Sequence, residues 1–134
     1  MDRAMLFRIK QLNDTIQNKV DKIDYLRSQV EGSAIRYKQD IIQSSGSQDL
    51  LESVIAQVID LEDEVNELIE ELVFCKRVVT KYINKLDRES HREVLYERYV
   101  LCLKIREIAE SQGKSERWIK QKHKEALCLF DNLT

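Results

Sequence analysis

Basic and amide side chains recur on one side of the segment from Ser115 to Phe130. They are three and four residues apart, the spacing of neighbours on one face of an α-helix. These residues are Arg117, Lys120, Gln121 and Lys124. The opposite side has the same spacing and is mostly apolar, comprising Ile119, His123, Ala126, Leu127 and Phe130. A helix held by its apolar side, with long polar and basic side chains on the other, is suited to a nucleic-acid groove.

A shorter helix is predicted immediately before this one. Its apolar face consists of Ile105, Ile108 and Ala109. Gly113 follows where a helix would end on a left-handed residue, a conformation that glycine adopts without a Cβ penalty. Ser115 is placed to cap the next helix, and Glu116 suits the positive end of its dipole. The stretch from Lys104 to Phe130 therefore predicts a helix-turn-helix.

Composition favours an all-α protein of one domain or two small ones. The 134 residues include no Pro and only three Gly, and 34% are charged. The net charge is −2, but uneven charge keeps nucleic-acid binding open. Ser111–Glu125 holds five bases and two acids, whereas Asp60–Glu71 holds seven acids and no base. For the acidic run, a solvated face and a partner-docking surface are equally consistent with the sequence.

The sequence gives no sign of a metal site, a cofactor or an enzymatic reaction. Cys75, Cys102 and Cys128 are odd in number and lack Cys-x-x-Cys spacing, so we expect reduced, structural cysteines. His91 and His123 are far apart and have no ligand-spaced neighbour. There is no Gly-rich phosphate loop and no activated nucleophile. Without a signal peptide or membrane span, we expect a cytoplasmic protein.

Two long segments carry the heptad pattern of a coiled coil. The first, from about residue 2 to 43, has apolar residues at Met5, Ile9, Leu12, Ile16, Ile23, Leu26 and Val30, interrupted by Lys19. The second, from about residue 48 to 86, has them at Leu51, Val54, Val58, Leu61, Val65, Leu68, Leu72, Cys75, Val79, Tyr82 and Leu86. A turn is predicted at Ser44–Ser47, with Ser47 as the cap of the second helix. The expected structure is an antiparallel hairpin folded about Gly46, placing Ile9 near Tyr82, Ile16 near Cys75, and Leu26 near Val65.

The second segment also has an extra apolar stripe, at Ile55, Ile69 and Ile83, widened by Val73 and Val78. We expect this stripe to pair two hairpins into a homodimer, because exposed apolar stripes usually mark a partner. The alternative is that the C-terminal part folds back and covers it, and a domain-swapped hairpin is a further variant. The predicted domains are residues 1–86, for dimerisation, and 87–134, for DNA binding. The latter would begin with a third helix capped by Asp87, in which Leu95, Tyr99, Val100 and Leu103 pack beneath the helix-turn-helix.

The C-terminal third resembles region 4 of sigma-70-type factors, over roughly residues 93–130. The shared residues are Arg98-Tyr99, Glu107-Ile108-Ala109, Gly113-Lys114-Ser115, and Ile119 seven residues before Ala126-Leu127. With its hairpin, the whole chain is similar to small phage and prophage proteins related to the RinA/ArpU-type late transcription regulators. This resemblance implies a phage-encoded, sigma-like activator of late or packaging genes that binds double-stranded DNA. It also implies RNA polymerase as a further partner.

The resemblance assigns specific contacts to double-stranded DNA. Those to base edges would come from Glu116, Arg117, Lys120 and Gln121, whose side chains match cytosine, guanine and adenine in the major groove. Those to phosphates would come from Lys114, Lys124, Arg106 and Lys104. Trp118 either seals the core, which we favour, or stacks on a sugar. The alternative to all of these contacts is a basic, solvated face on a helix that merely packs.

The sequence departs from the sigma pattern beside the turn and in the second helix. Gln112 and Lys114 stand where apolar residues are usual, and Lys122 replaces another apolar residue, so that His123 could turn inward instead.

Two other functions stay open. One is a DNA-packaging component resembling a small terminase subunit, and the other is a sigma-like adaptor that binds RNA polymerase without DNA.

Overall fold

The computed structural model describes residues 1–39 and 45–134, with side chains for 1–32 and 48–134. This part of the chain is all-α, as predicted, and contains no strand. The helices are α1 (Ala4–Gln39), α2 (Ser45–Ile83), α3 (Glu89–Leu95), which continues into a π-helical turn (Tyr96–Val100), α4 (Ile105–Gln112) and α5 (Glu116–Asp131). None of the described helices is both long enough and apolar enough to cross a bilayer.

The chain divides into two compact units. One comprises residues 14–70, and the other combines Met1–Asn13 with Glu71–Thr134. The predicted division assigned dimerisation to residues 1–86 and DNA binding to residues 87–134. It concerns function and stays a prediction. Each unit has its own buried residues and is described by itself below.

In the unit of residues 14–70, α1 and α2 contribute antiparallel segments. Its core holds Ile23, Leu26, Val58 and Val65, flanked by the partly buried Ile16, Val20, Val54 and Leu61. Lys19 Nζ lies 2.8 Å from Glu64 Oε2, and Arg27 forms an ion pair with Glu62. Because the later residue of α1 pairs with the earlier residue of α2, the segments run in opposite directions. The heptad positions thus predicted the buried faces.

The ion pairs and the core cluster bear on the register between these segments. A reversal at Gly46 would place Lys19 opposite about Leu72 and Arg27 opposite about Glu64, whereas they pair with Glu64 and Glu62, which are eight and two residues away. Leu26 and Val65, which were predicted to be neighbours, belong to the same core cluster. The predicted turn is wrong at residues 45–47, because α2 already begins at Ser45. Residues 40–44, including the rest of that turn, lie outside the described residues.

In the other unit, the first turns of α1 are buried together with the C-terminal helices. Leu6, Ile9 and Leu12 are almost fully buried. The Phe7 ring meets the Tyr99 ring edge to face at a centroid distance of 6.0 Å. Arg3 forms an ion pair with Asp131 at the end of α5, which lowers the pKa of that carboxyl. Packing of the N-terminal turns with α5 was not predicted.

The third helix begins later than predicted. Its N-cap position is Arg88, so the prediction of Asp87 as the cap is wrong. The Arg92 guanidinium donates hydrogen bonds to the carbonyls of Leu86 and Asp87, at 2.6 and 2.9 Å. These bonds fold the preceding loop back onto α3. The expected burial of Leu95, Tyr99 and Val100 is confirmed, and Leu103 is partly buried.

Candidate nucleic-acid interface

The turn between α4 and α5 is built around Gly113. Its φ is 65° and its ψ 35°, in the left-handed region that the sequence predicted. The N–H of Lys114 donates to the carbonyl of Ala109 at 3.0 Å, and the N–H of Gly113 to that of Glu110 at 3.4 Å. These two bonds satisfy carbonyls at the end of α4 that would otherwise lack partners. The left-handed residue therefore ends α4 and redirects the chain.

Side chains cap the start of both helices. Ser115 Oγ accepts a hydrogen bond from the N–H of Trp118 at 3.1 Å, which confirms Ser115 as the N-cap of α5. At the start of α4, the Glu107 carboxylate accepts from the N–H of Lys104, also at 3.1 Å. Each bond satisfies a backbone donor left over by the helix geometry. The first turn of α5, which carries Glu116 and Arg117, is therefore fixed.

A small apolar cluster holds α4 and α5 against α3. Its buried members are Val94, Ile108, Ala109 and Ile119, packed with the partly buried Leu103, Ile105 and Trp118. Trp118 therefore belongs to the edge of this core, the role that we favoured. The ammonium groups of Lys114 and Lys122 lie 5.2 and 5.6 Å from its ring centroid, within range of a cation–π attraction.

All eight residues assigned to DNA are exposed: Lys104, Arg106, Lys114, Glu116, Arg117, Lys120, Gln121 and Lys124. Arg117, Lys120 and Lys124 recur at helical spacing along the outer side of α5. Six of the eight residues are basic, and this side is opposite the buried Ile119 and Ala126. The structure thus brings a polar, basic row onto one side of a helix, while the contacts themselves stay predictions.

Lys104 and Arg106 lie apart from this row, at the start of α4. Arg106 Nε is 3.5 Å from Glu110 Oε1, and both side chains are largely exposed. An ion pair so exposed contributes little and leaves the guanidinium accessible. Gln121 Nε2 similarly makes a long contact of 3.5 Å with Glu125. Neither contact prevents these side chains from reaching a ligand.

Lys122 differs from the bases of the row. Its side chain is only 18% exposed, and its Nζ lies 3.3 Å from Glu125 Oε2. The same carboxylate oxygen is 2.9 Å from Nε2 of His91, a buried residue of α3. The hydrogen bonds from His91 and then Lys122 lower the pKa of Glu125. Lys122 therefore supports the attachment of α5 to α3 rather than the outer surface.

His123 turns inward, as the departure at Lys122 suggested. Its Nε2 is 2.7 Å from the Tyr99 hydroxyl, and the two rings stack at a centroid distance of 5.6 Å. Burial, and then the positive charges of Arg98 and Arg3, lowers the pKa of His123. Burial also raises the pKa of Tyr99. Both rings are therefore neutral near pH 7, and they fix the rotation of α5 about its axis.

Several positioning residues were missed by sequence reasoning. Gln112 Nε2 donates to Glu97 Oε2 at 2.7 Å, which ties the end of α4 to the π-helical turn. Arg98 Nη1 donates to the carbonyl of Leu103 at 2.8 Å. Gln112 thus makes a polar contact where sigma-like modules have an apolar one. No sequence signal marks these bonds, since the partners are brought together by the tertiary fold.

The described residues offer few groups for metal binding or for redox chemistry. They contain no group of three or more His, Cys, Asp or Glu side chains that could hold a metal ion. The three cysteines are free thiols, with Cys75 buried, Cys102 partly buried and Cys128 exposed. In comparisons with known proteins, no family model, curated protein or solved structure matches this chain.

Proposed function

We propose that the protein is a sequence-specific, double-stranded DNA-binding transcription regulator and that α5 is its recognition helix. The observation that carries this proposal is the outer row of Arg117, Lys120, Gln121 and Lys124, exposed on a helix whose other side is buried. A helix fixed on one side and basic on the other has the properties required for the major groove. The short turn around Gly113 and the cap at Ser115 support the same arrangement.

Different side chains have different roles in this proposal. Arg117 and Lys120 donate to guanine O6 and N7, Gln121 pairs with adenine, and Glu116 accepts from the amino group of cytosine. The phosphate contacts come from Lys104, Arg106, Lys114 and Lys124, which anchor the helix without selecting a sequence. Because the net charge of the protein is −2, the attraction to DNA in this proposal comes from the local concentration of bases and not from the charge of the whole protein.

The wider context of the proposal comes from the resemblance to sigma region 4 and to phage late regulators. The α4–turn–α5 segment, preceded by α3, is consistent with a sigma-like helix-turn-helix, and the antiparallel segments of α1 and α2 are consistent with a helical hairpin. We extend the proposal to the activation of late or packaging genes in a bacterial host cell. A homodimer formed through the hairpin and a contact with RNA polymerase stay predictions, and the molar mass in solution tests the dimer.

The base-reading role is tested by Arg117→Ala. A duplex would first be selected by the parent protein from a random-sequence library, and binding would be followed by fluorescence anisotropy. The variant should lose about 1–3 kcal/mol of binding free energy on the selected duplex and little on random DNA. Lys81→Ala is the matched control, because it removes an exposed base from α2 rather than from α5, and it should leave the binding to both duplexes unchanged. Equal losses on both duplexes would contradict base recognition by Arg117.

The phosphate role is tested by Lys124→Ala in the same assay. This variant should weaken binding to selected and random duplexes alike. It should also reduce the slope of log K against log salt by about 1, since one phosphate contact is lost. An unchanged salt slope, or a loss confined to the selected duplex, would contradict this role.

A further inference from the structure

An apolar strip on α2 is exposed within the unit of residues 14–70. Ile55, Ile59 and Ile69 are 44%, 52% and 41% exposed, respectively. They lie within about 80° of one another around the helix axis, and the exposed Asn66 and the partly exposed Glu62 lie between them. We call the three isoleucines together with Glu62 and Asn66 the outer strip. It adjoins the face that carries the buried Val58 and Val65.

The two edges of the outer strip differ in charge. On the α1 side the strip ends at Ile69, beside the buried Val58, and the carboxylate of Glu62 within the strip is ion-paired with Arg27. On the other edge, Glu52, Asp63 and Glu70 follow within about 40° of Ile59 around the helix. All three are exposed. The strip is therefore bordered on one side by a row of carboxylates.

We infer that the outer strip docks an amphipathic helix of another protein, whose apolar side covers the isoleucines and whose Lys or Arg side chains face the acidic row. Apolar anchors at helical spacing with charges along the edge are the features of helix-in-groove recognition. Opposite charges at the edge speed association and select the partner's orientation. This inference does not depend on the proposed DNA binding, which involves α4 and α5.

A second copy of the chain, which was predicted from the sequence as the partner of Ile55 and Ile69, fits the outer strip less well, so that a homodimer would have to form through another face of the hairpin. Antiparallel pairing about the midpoint of two strips would bring Glu52 within two residues of Glu70 in the other copy, and Asp63 within two residues of its own equivalent. Like charges opposite one another disfavour such pairing.

The test uses the full chain and two labelled synthetic helical peptides. Both carry leucines at heptad spacing, but one has lysines and the other glutamates at the flanking positions. Fluorescence anisotropy should show binding of the lysine peptide and at least about tenfold weaker binding of the glutamate peptide. Ile59→Ser should weaken lysine-peptide binding by about tenfold or more, because the isoleucine side chain would be buried on docking. Circular dichroism checks that the variant keeps its helix content.

A charge exchange separates docking from general electrostatic attraction. The triple variant Glu52→Lys, Asp63→Lys, Glu70→Lys should prefer the glutamate peptide. The matched control is Asp14→Lys, Asp21→Lys, Asp24→Lys, because these three exposed acids lie on α1 in the same unit and give the same change in net charge. This variant should retain the parent's preference. Equal effects of the two reversals, or no lysine-peptide binding by the parent, would overturn the inference. A parent dimer that Ile59→Ser converts to a monomer would also overturn it and assign the strip to a second copy.

Discussion

Replacing Gly113 by Ala isolates the conformational requirement of the α4–α5 turn. A Cβ atom added at Gly113 would meet nothing within 4 Å, so the substitution introduces no steric clash with neighbours. The whole effect should come from the left-handed backbone, with its φ of 65°. Gly113→Asn is the matched variant, because Asn tolerates this conformation better than Ala.

The magnitude follows from two opposing terms. A left-handed residue with a Cβ costs about 1–2 kcal/mol, whereas the reduced freedom of the unfolded chain returns about 0.4–1 kcal/mol. Gly113→Ala should therefore lower the free energy of unfolding by about 1 kcal/mol. Gly32→Ala should have the opposite sign, at about 0.5–1 kcal/mol stabilising. Gly32 is inside α1, and a Cβ there would also meet nothing within 4 Å.

Trp118 provides the assay, since it is the single tryptophan and packs against the cluster beneath the turn. Its fluorescence during urea unfolding reports on the unit that contains Gly113. The midpoint should fall for Gly113→Ala, fall less for Gly113→Asn, and not fall for Gly32→Ala. Equal midpoints for the Ala and Asn variants at position 113 would refute the left-handed turn.

Three other perturbations test the attachment of α5. Ser115→Ala removes the acceptor for the Trp118 N–H and should lower the free energy of unfolding by about 0.5–2 kcal/mol. The control Ser111→Ala, at an exposed position inside α4, should change it by less than about 0.5 kcal/mol. Equal urea midpoints for the two variants would contradict the cap. Phe130→Ala removes a fully buried ring and should cost about 3–5 kcal/mol in the same assay, so an unchanged midpoint would contradict its burial. Burial lowers the pKa of His123 below its ordinary 6.5. Between pH 6.5 and the lowered pKa, the unfolded chain therefore binds more protons than the folded chain. The parent protein should lose stability as the pH falls through this range. His123→Asn should lack this part of the loss in thermal unfolding recorded between about pH 7 and pH 5, and an unaltered slope would contradict a neutral, buried imidazole.

The parts of the fold that could be predicted from the sequence depend on local signals. Gly113 and Ser115 have their effects within one turn of themselves, so their roles follow from residue type and position alone. The two sides of α5 follow from helical periodicity. The inward turn of His123 could be suggested because Lys122 occupies the usual apolar position. These signals were sufficient to place the candidate interface on the exposed side of one helix.

The parts that could not be predicted depend on contacts between distant residues. The heptads of α1 and α2 repeat every seven residues, so a shift of one heptad keeps apolar residues facing each other and the sequence leaves the register open. Gly46 indicated the wrong position for the turn, because it lies within α2 itself. Similarly, the hydrogen bond between His91 and Glu125 depends on how α3 meets α5. Neither residue belongs to a recognisable local pattern.

The central claim is that the outer side of α5 contacts duplex DNA. The most direct measurement is the change in backbone amide NMR shifts of the full chain when a duplex selected from a random library is added. The account predicts that the largest changes cluster at residues 114–124, with smaller changes at the start of α4 and little change in residues 14–70. Changes concentrated in residues 14–70, or no saturable change with the selected duplex, would contradict the claim.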